Sequence, residues 1–188
     1  MASRDGHSGH NAEADSIVRA QAGDKAAFGE LVDQSRRLLV SVVYRQGLDW
    51  AEAEDVAQEA FVRAWLALPR YKPSVGSWRA WLCRIAINLA IDFHRRRKPQ
   101  VSLDDELPDG AGGPAEQAEK RMRAQQVRQA LAQLPPASRA ALVLCEYEGL
   151  SYAEIAAALD IPVGTVMSRL NYARRRLREL LVARRELA

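Results

Sequence analysis

The stretch from residue 99 to residue 118 constrains the architecture most. It holds no lysine or arginine, five acidic residues (Asp104, Asp105, Glu106, Asp109 and Glu116), and Pro99, Pro108, Gly110, Gly112, Gly113 and Pro114. Such a segment has too little apolar surface to bury and too many turn formers to hold a regular element, so it reads as a flexible acidic linker. A linker in the middle of 188 residues forbids one continuous core. It leaves two flanks, each long enough for a modest core of its own. The expected division is a polar tail at 1–13, a first domain at 14–98, the linker at 99–118 and a second domain at 119–188. Fully extended, the linker reaches about 66–72 Å, so the two domains can sit far apart on a larger partner.

Charge follows the same division. The whole chain is only +3, but residues 1–98 are net +3, the linker is −5 and residues 119–188 are +5. Of the 27 cationic residues only Lys25, Lys72, Lys98 and Lys120 are lysines, and arginine suits planar hydrogen bonding to phosphate and carboxylate. Several classes fall away. No apolar run approaches the roughly 18 residues of a membrane span, and Met1 to Asn11 lacks the apolar centre of a secretory signal. Cys83 and Cys145 are isolated, which makes neither a disulfide framework nor a zinc pair and fits a reducing cytoplasm. No phosphate loop, HExxH or nucleophile elbow is present. The expectation is a cytoplasmic protein that is not an enzyme and needs no cofactor, metal or small-molecule substrate.

Both flanks carry helical periodicity and no convincing alternation, so the expected fold is all-α. In the first domain Ala14–Ala22 reads as a short helix. Asp24 caps a longer helix with Phe28, Leu31, Val32, Leu38, Leu39, Val42 and Val43 at helical spacing. Asp49 with Glu52 resembles a capping box, and the helix it opens runs to about Leu68. After a loop from Pro69, Ser77 caps a helix that Pro99 stops. In the second domain the expected helices are Ala115–Leu134, Ser138–Glu148, Tyr152–Leu159 behind a Ser151/Glu154 capping box, and Thr165 to about Glu186.

Three features carry chemistry. Residues 151–178 form two helices joined by a short turn, the second strongly basic, which is a helix-turn-helix arrangement. On that second helix Val166, Leu170, Ala173 and Leu177 make a stripe to bury. Thr165, Ser168, Arg169, Tyr172 and Arg176 make another face that can enter a major groove. Arg174, Arg175 and Arg178 flank it for phosphate contacts, and Ser151 offers a helix N-terminus. The alternative is a solvated basic helix. The second feature is the helix Trp78–Lys98, which ends in four consecutive cations and places Arg84, Asn88 and Arg95 on a related face. Asn88 is either a base-reading side chain or a buried structural one. Tyr71, Lys72 and Trp78 supply aromatic and cationic groups for an unstacked base, whereas Trp65 and Trp81 are expected in the core. The third is an acidic helix face with Asp55, Gln58 and Glu59 three and four residues apart. By spacing alone it favours solvated surface over a docking patch.

Taken in order, these features resemble a bacterial sigma factor of the extracytoplasmic-function (ECF) group, across about Ile17 to Leu181. Asp55 to Trp65 looks like that group's core-polymerase-binding motif. Trp81 to Asn88 with Asp92 and Arg95 looks like its −10-recognition helix. Leu150 to Ala156 and Ile161 to Leu170 look like its −35-binding helix-turn-helix. The resemblance implies a region 2-like domain and a region 4-like domain. It implies that Asp55, Gln58 and Glu59 dock on the clamp helices of the polymerase largest subunit, which reverses the solvated reading, and that the second domain meets the flap region. It implies −10 contacts by Tyr71, Lys72, Ser77, Arg84, Asn88 and Arg95, with a flipped base captured beside the 71–77 loop. Ser151, Thr165, Ser168, Arg169, Tyr172, Arg175 and Arg176 would bind the −35 duplex. An anti-sigma factor is a further implied partner. Met167 stands where Arg or Lys is frequent in the group, Cys83 replaces a common aromatic, and the 71–77 loop is slightly long. The rival reading is a stand-alone helix-turn-helix repressor or activator.

Overall fold

The computed structural model describes residues 6–73, 76–96 and 114–185. Among them eight α-helices run in the order α1 (Gly6–Gln21), α2 (Lys25–Tyr44), α3 (Trp50–Ala67), α4 (Trp78–Arg96), α5 (Pro114–Ala132), α6 (Pro136–Glu146), α7 (Tyr152–Leu159) and α8 (Val163–Arg185), with a 3₁₀ turn at Leu68–Arg70 between α3 and α4.

 No strand occurs among the described residues, and the helices fall into the two expected domains, α1–α4 and α5–α8. Most of the 99–118 segment lies outside the described residues. Helix α5 nevertheless starts at Pro114, inside the span read as linker, because a proline is well suited to a first helical position where its missing N–H is no loss. Helix α1 likewise starts at Gly6, ahead of the expected Ala14, since the good helix formers Ala12, Glu13 and Ala14 continue its C-terminal turns without a break.

The capping residues set the helix starts. Asp24 accepts from the backbone N–H of Ala26 and Ala27 at 2.9 and 3.1 Å. Asp49 accepts from Glu52 N–H at 2.7 Å while the Glu52 carboxylate accepts from Asp49 N–H at 3.0 Å. Ser151 and Glu154 close a second box of the same kind. Each cap satisfies backbone donors that have no intrahelical partner. Gly47 takes φ +93 at the turn after α2, a conformation open to glycine without a Cβ penalty.

In the first domain α2, α3 and α4 bury Leu31, Leu39, Val42, Ala60, Ala64, Leu82 and Ile87 almost completely. The alanines on α3 let the helices approach closely. Trp78 is 1 % exposed, and its indole N–H donates to Ser35 Oγ at 3.2 Å. In the second domain Val143, Leu144, Ile155, Val166, Leu170 and Ala173 are fully buried among α6, α7 and α8. Asp160 ends α7 with φ 54 and ψ 51, the left-handed cap that turns the chain into α8. The two domains touch: α4 packs against α7.

Candidate nucleic-acid and polymerase interfaces

Helix α8 divides as its sequence predicts. Val166, Leu170 and Ala173 face the core, and Leu177 is partly buried against it. Met167, Ser168, Tyr172, Arg175 and Arg176 face solvent, with Thr165 and Arg169 partly covered. Ser168 Oγ donates to the Thr165 carbonyl at 2.9 Å, and Arg176 pairs with Glu179 at 3.1 Å on the surface. Arg174 differs from its expected phosphate role. Its Nε and Nη2 donate to Glu146 Oε1 at 3.0 and 2.6 Å, and its Nη1 lies 3.5 Å from the Tyr152 hydroxyl. Those bonds to Tyr152 and Glu146 hold its pKa above the ordinary arginine value. Arg174 therefore ties α8 to α6 and α7, because the only nearby carboxylate on α6 captures it first.

Helix α4 answers the question left open at Asn88, which is solvent-exposed although its neighbours Ala86, Ile87 and Ala90 are fully buried. It is not a buried structural asparagine. Lys72 and Arg95 are exposed as well, the latter 3.2 Å from Asp92. Tyr71 and Trp78 are placed differently from the base-holding role considered for them. Tyr71 is 7 % and Trp78 1 % exposed, because the two rings and Trp81 pack together with centroids 4.9–5.9 Å apart. Tyr71 instead ties the root of the loop: its hydroxyl donates to the Gly76 carbonyl at 3.0 Å. Gln21, which no sequence signal marked, donates to the carbonyls of Leu68 and Tyr71 at 3.0 and 2.9 Å. Cys83 is in the core as expected, and burial first, then the charge of Glu148, pushes its thiol up to about 12.

The second domain reaches across to this helix. Arg84 meets Asp160 at 3.0 Å, Arg79 meets Glu148 at 3.2 Å and Ser77 Oγ donates to Glu154 at 3.0 Å. Burial raises the pKa of Glu148 despite Arg79 and Arg45 beside it. Further along the seam Arg128 donates to the Tyr44 hydroxyl at 2.6 Å and the Arg45 guanidinium lies 4.1 Å from the Tyr147 ring centroid. Sequence spacing gave no warning of these pairs, since their partners lie 69 to 102 positions apart.

On α3, Asp55, Gln58 and Glu59 are all exposed. Asp55 and Gln58 line a groove of about 620 Å³ between α2 and α3, whose apolar lining includes Phe28, Val32, Phe61 and Trp65. Val62 and Leu66 continue the same helix outward at 51 % and 72 % exposure. Val62 and Leu66 thus stand in water beside the acidic stripe. They were visible in the sequence as apolar residues on the polar side of the helix.

The described helices have no span long and apolar enough to cross a membrane. All-α domains with an exposed acidic–apolar face, an exposed Asn/Arg helix and a two-faced helix-turn-helix define a DNA-binding transcription protein. The comparisons with known proteins fix which kind. The family model of Sigma-70 region 2 matches residues 31–100 and that of Sigma-70, region 4 matches residues 124–177. The ECF RNA polymerase sigma factor SigE of Mycolicibacterium smegmatis is 37 % identical over 168 residues, which are 85 % of this chain and 64 % of that protein. The structure of CnrH in complex with the cytosolic domain of CnrY superposes with a TM-score of 0.73 at 31 % identity, covering 92 % of this chain and 98 % of that one. The sigma factor RpoE in complex with the anti-sigma factor NepR, from Bartonella quintana, gives 0.67 at 25 % identity over 82 % and 96 %. The chain belongs to the ECF sigma factors. Proteins of this family bind core RNA polymerase and direct it to promoters, and they are regulatory subunits without a catalytic site.

Proposed function

We propose that each of the three faces has its own partner in transcription initiation. The acidic and apolar face of α3, with Asp55, Gln58 and Glu59, docks on the clamp helices of core RNA polymerase, and the second domain meets the flap region. The α4 face with Arg84, Asn88 and Arg95, together with Lys72 and Ser77, binds the −10 element as it opens. The α8 face with Thr165, Ser168, Arg169, Tyr172, Arg175 and Arg176 binds the −35 duplex, Ser151 adding a helix N-terminus. The observation that carries this reading is the exposure of Asn88 in the middle of an apolar run. An amide on that face is accessible, and it can make two hydrogen bonds to a base edge. Tyr71 acts by shaping the loop, not by touching the base.

The anti-sigma complex of RpoE supports an anti-sigma factor as the second protein partner of this chain. Function among polymerase and promoter DNA places the chain in the cytoplasm. The domain division at 14–98 and 119–188 fits this use, since each domain carries one promoter element. The test is transcription in vitro by purified core polymerase on fragmented genomic DNA of the source organism, with 5′-end sequencing of the products. Adding the protein should create a small set of start sites sharing −10 and −35 sequences. No new start sites, together with tight operator binding by the protein alone, would favour a stand-alone repressor or activator.

A further inference from the structure

We propose that Met167 and Asn171 on α8 read a thymine and a neighbouring adenine in the −35 element, and so set which −35 sequence this chain accepts. The proposal rests on the −35 assignment above and adds two residues that the assignment does not use. Both lie in the half of α8 nearest its N-terminus, the half that meets base edges when a recognition helix enters a major groove. They are four positions apart, so their side chains adjoin on one strip of the helix. Val166, Leu170 and Ala173 turn to the core, whereas Met167 is 49 % exposed and Asn171 is exposed as well. Ser168, next to Met167 and three positions before Asn171, joins this strip to the face that carries Thr165, Arg169, Tyr172 and Arg176. The reading face therefore has two edges, one basic and aromatic, the other an apolar chain and an amide.

The chemistry of each side chain selects its base. Met167 has neither a charge nor a hydrogen-bond donor to give a phosphate. It offers a flexible apolar surface, the kind that packs on the thymine C5-methyl group. The Asn171 amide holds a donor and an acceptor in one plane, the set that matches adenine N7 and N6. Neighbouring polar groups are engaged within the protein: Ser168 Oγ with the Thr165 carbonyl at 2.9 Å, Arg174 with Glu146 at 2.6 Å and Arg176 with Glu179 at 3.1 Å. The Asn171 side chain has no hydrogen-bond partner among the described residues. One turn earlier on the same strip, a Cβ built on Gly164 would meet nothing within 4 Å. The strip thus begins with bare backbone, which lets a base edge come close.

The experiment is transcription by holoenzyme, made from the full chain and core polymerase, on a promoter library whose −35 element is randomised and whose −10 element comes from the start-site assay. Sequencing the products gives the base preference at each −35 position. Wild type should select a thymine and an adenine at neighbouring base pairs. Asn171→Ala should lower the adenine preference about tenfold at its own position and leave the others unchanged. Met167→Ala should lower the thymine preference about fourfold, the worth of one buried methyl group. A second arm needs no variant to fold: deoxyuridine in place of that thymine removes only the methyl group. It should weaken promoter binding by wild-type holoenzyme about fourfold and leave binding by the Met167→Ala holoenzyme unchanged. Equal binding of the thymine and deoxyuridine promoters by wild type overturns the Met167 contact. A loss for Asn171→Ala that is uniform across all sequences is that of a phosphate contact and overturns its base reading. If wild type selects no −35 sequence at all, the −35 assignment is the part that failed.

Discussion

Arg174→Ala separates two roles that the basic helix α8 mixes. Arg174 and Arg175 are adjacent in sequence and equally cationic, but only Arg174 is held by Glu146, at 3.0 and 2.6 Å. Arg175 is exposed and is not the partner of an acidic side chain on α6. The Arg174–Glu146 pair has 40 % and 48 % side-chain exposure, so solvent screening limits it to about 0.5–1 kcal/mol even with two hydrogen bonds. Loss of the arginine stem from the side of Cys145, 3.6 Å from Nη2, adds to this. The sum is ~1 kcal/mol, or roughly 2–4 °C in the unfolding midpoint of a chain this size. The assay is a pair of measurements on each variant: thermal unfolding, and the salt dependence of holoenzyme binding to promoter DNA. Arg174→Ala should lower the midpoint and leave the slope of log K against log salt unchanged. Arg175→Ala should leave the midpoint alone and reduce the slope by about 1, the loss of one phosphate contact. A double-mutant cycle with Glu146→Ala should return a coupling of about 0.5–1 kcal/mol. A reduced slope for Arg174→Ala with an unchanged midpoint and no coupling to Glu146 would refute the bracing role.

Three other outcomes follow from single contacts. Ser35→Ala leaves the buried Trp78 indole N–H without the acceptor it has at 3.2 Å, and urea unfolding should show a loss of about 1–3 kcal/mol. Asn88→Ala, at an exposed position, should change stability by less than about 0.5 kcal/mol while altering −10 base preference in the start-site assay. His94 gives a pH dependence. Burial, and then the charge of Arg139 on α6, lower its pKa, against a hydrogen bond to the Gln46 carbonyl that raises it. The unfolded chain therefore takes up this proton first, and stability falls as pH drops through the window just below 6.5. Glu148 is shifted up and works the other way at lower pH, so the measured quantity is wild type minus His94→Gln: the difference should stay constant above about 7.5 and shrink as pH falls from there to about 5.5.

Local chemistry is what the sequence displayed. Asp24, the Asp49/Glu52 box and the Ser151/Glu154 box start their helices at the predicted residues, because a cap needs only neighbours three positions away. The buried stripe of α8 was legible for the same reason. Which aromatics are core was not. Trp78 and Trp81 are three positions apart on α4, and only the arrival of Ser35 and Tyr71 from elsewhere decides that Trp78 is sealed in and Trp81 half-covered. Periodicity says that a face is buried, not which of two tryptophans lies at its centre. Arg174 was misjudged on the same ground, since Glu146 is 28 positions away. The α3 face needed both steps: spacing placed Asp55, Gln58 and Glu59 together, and the exposed Val62 and Leu66 beside them favour docking over solvation.

The seam between the domains differs in kind from the cores on either side of it. The cores are leucine, valine, isoleucine and alanine with almost no exposure, where every buried group lowers the free energy. At the seam, Arg139 from α6 enters against the turn after α2, so that a Cβ on Gly47 would lie 3.1 Å from its Nη1. Burial lowers its pKa to about 10. Its Nε and both polar atoms of the buried Gln46 side chain have no hydrogen-bond partner among the described residues. Each such group costs about 1–3 kcal/mol, while the rim ion pairs return about 0–1 kcal/mol each. A permanent two-domain body would be expected to replace Arg139 and Gln46 with apolar residues, which costs less in a buried interface. Gln46 and Arg139 remain buried there without the partners that water would supply. These unsatisfied groups make this part of the seam less favourable than either core, where no buried polar side chain of this kind is left without a partner among the described residues.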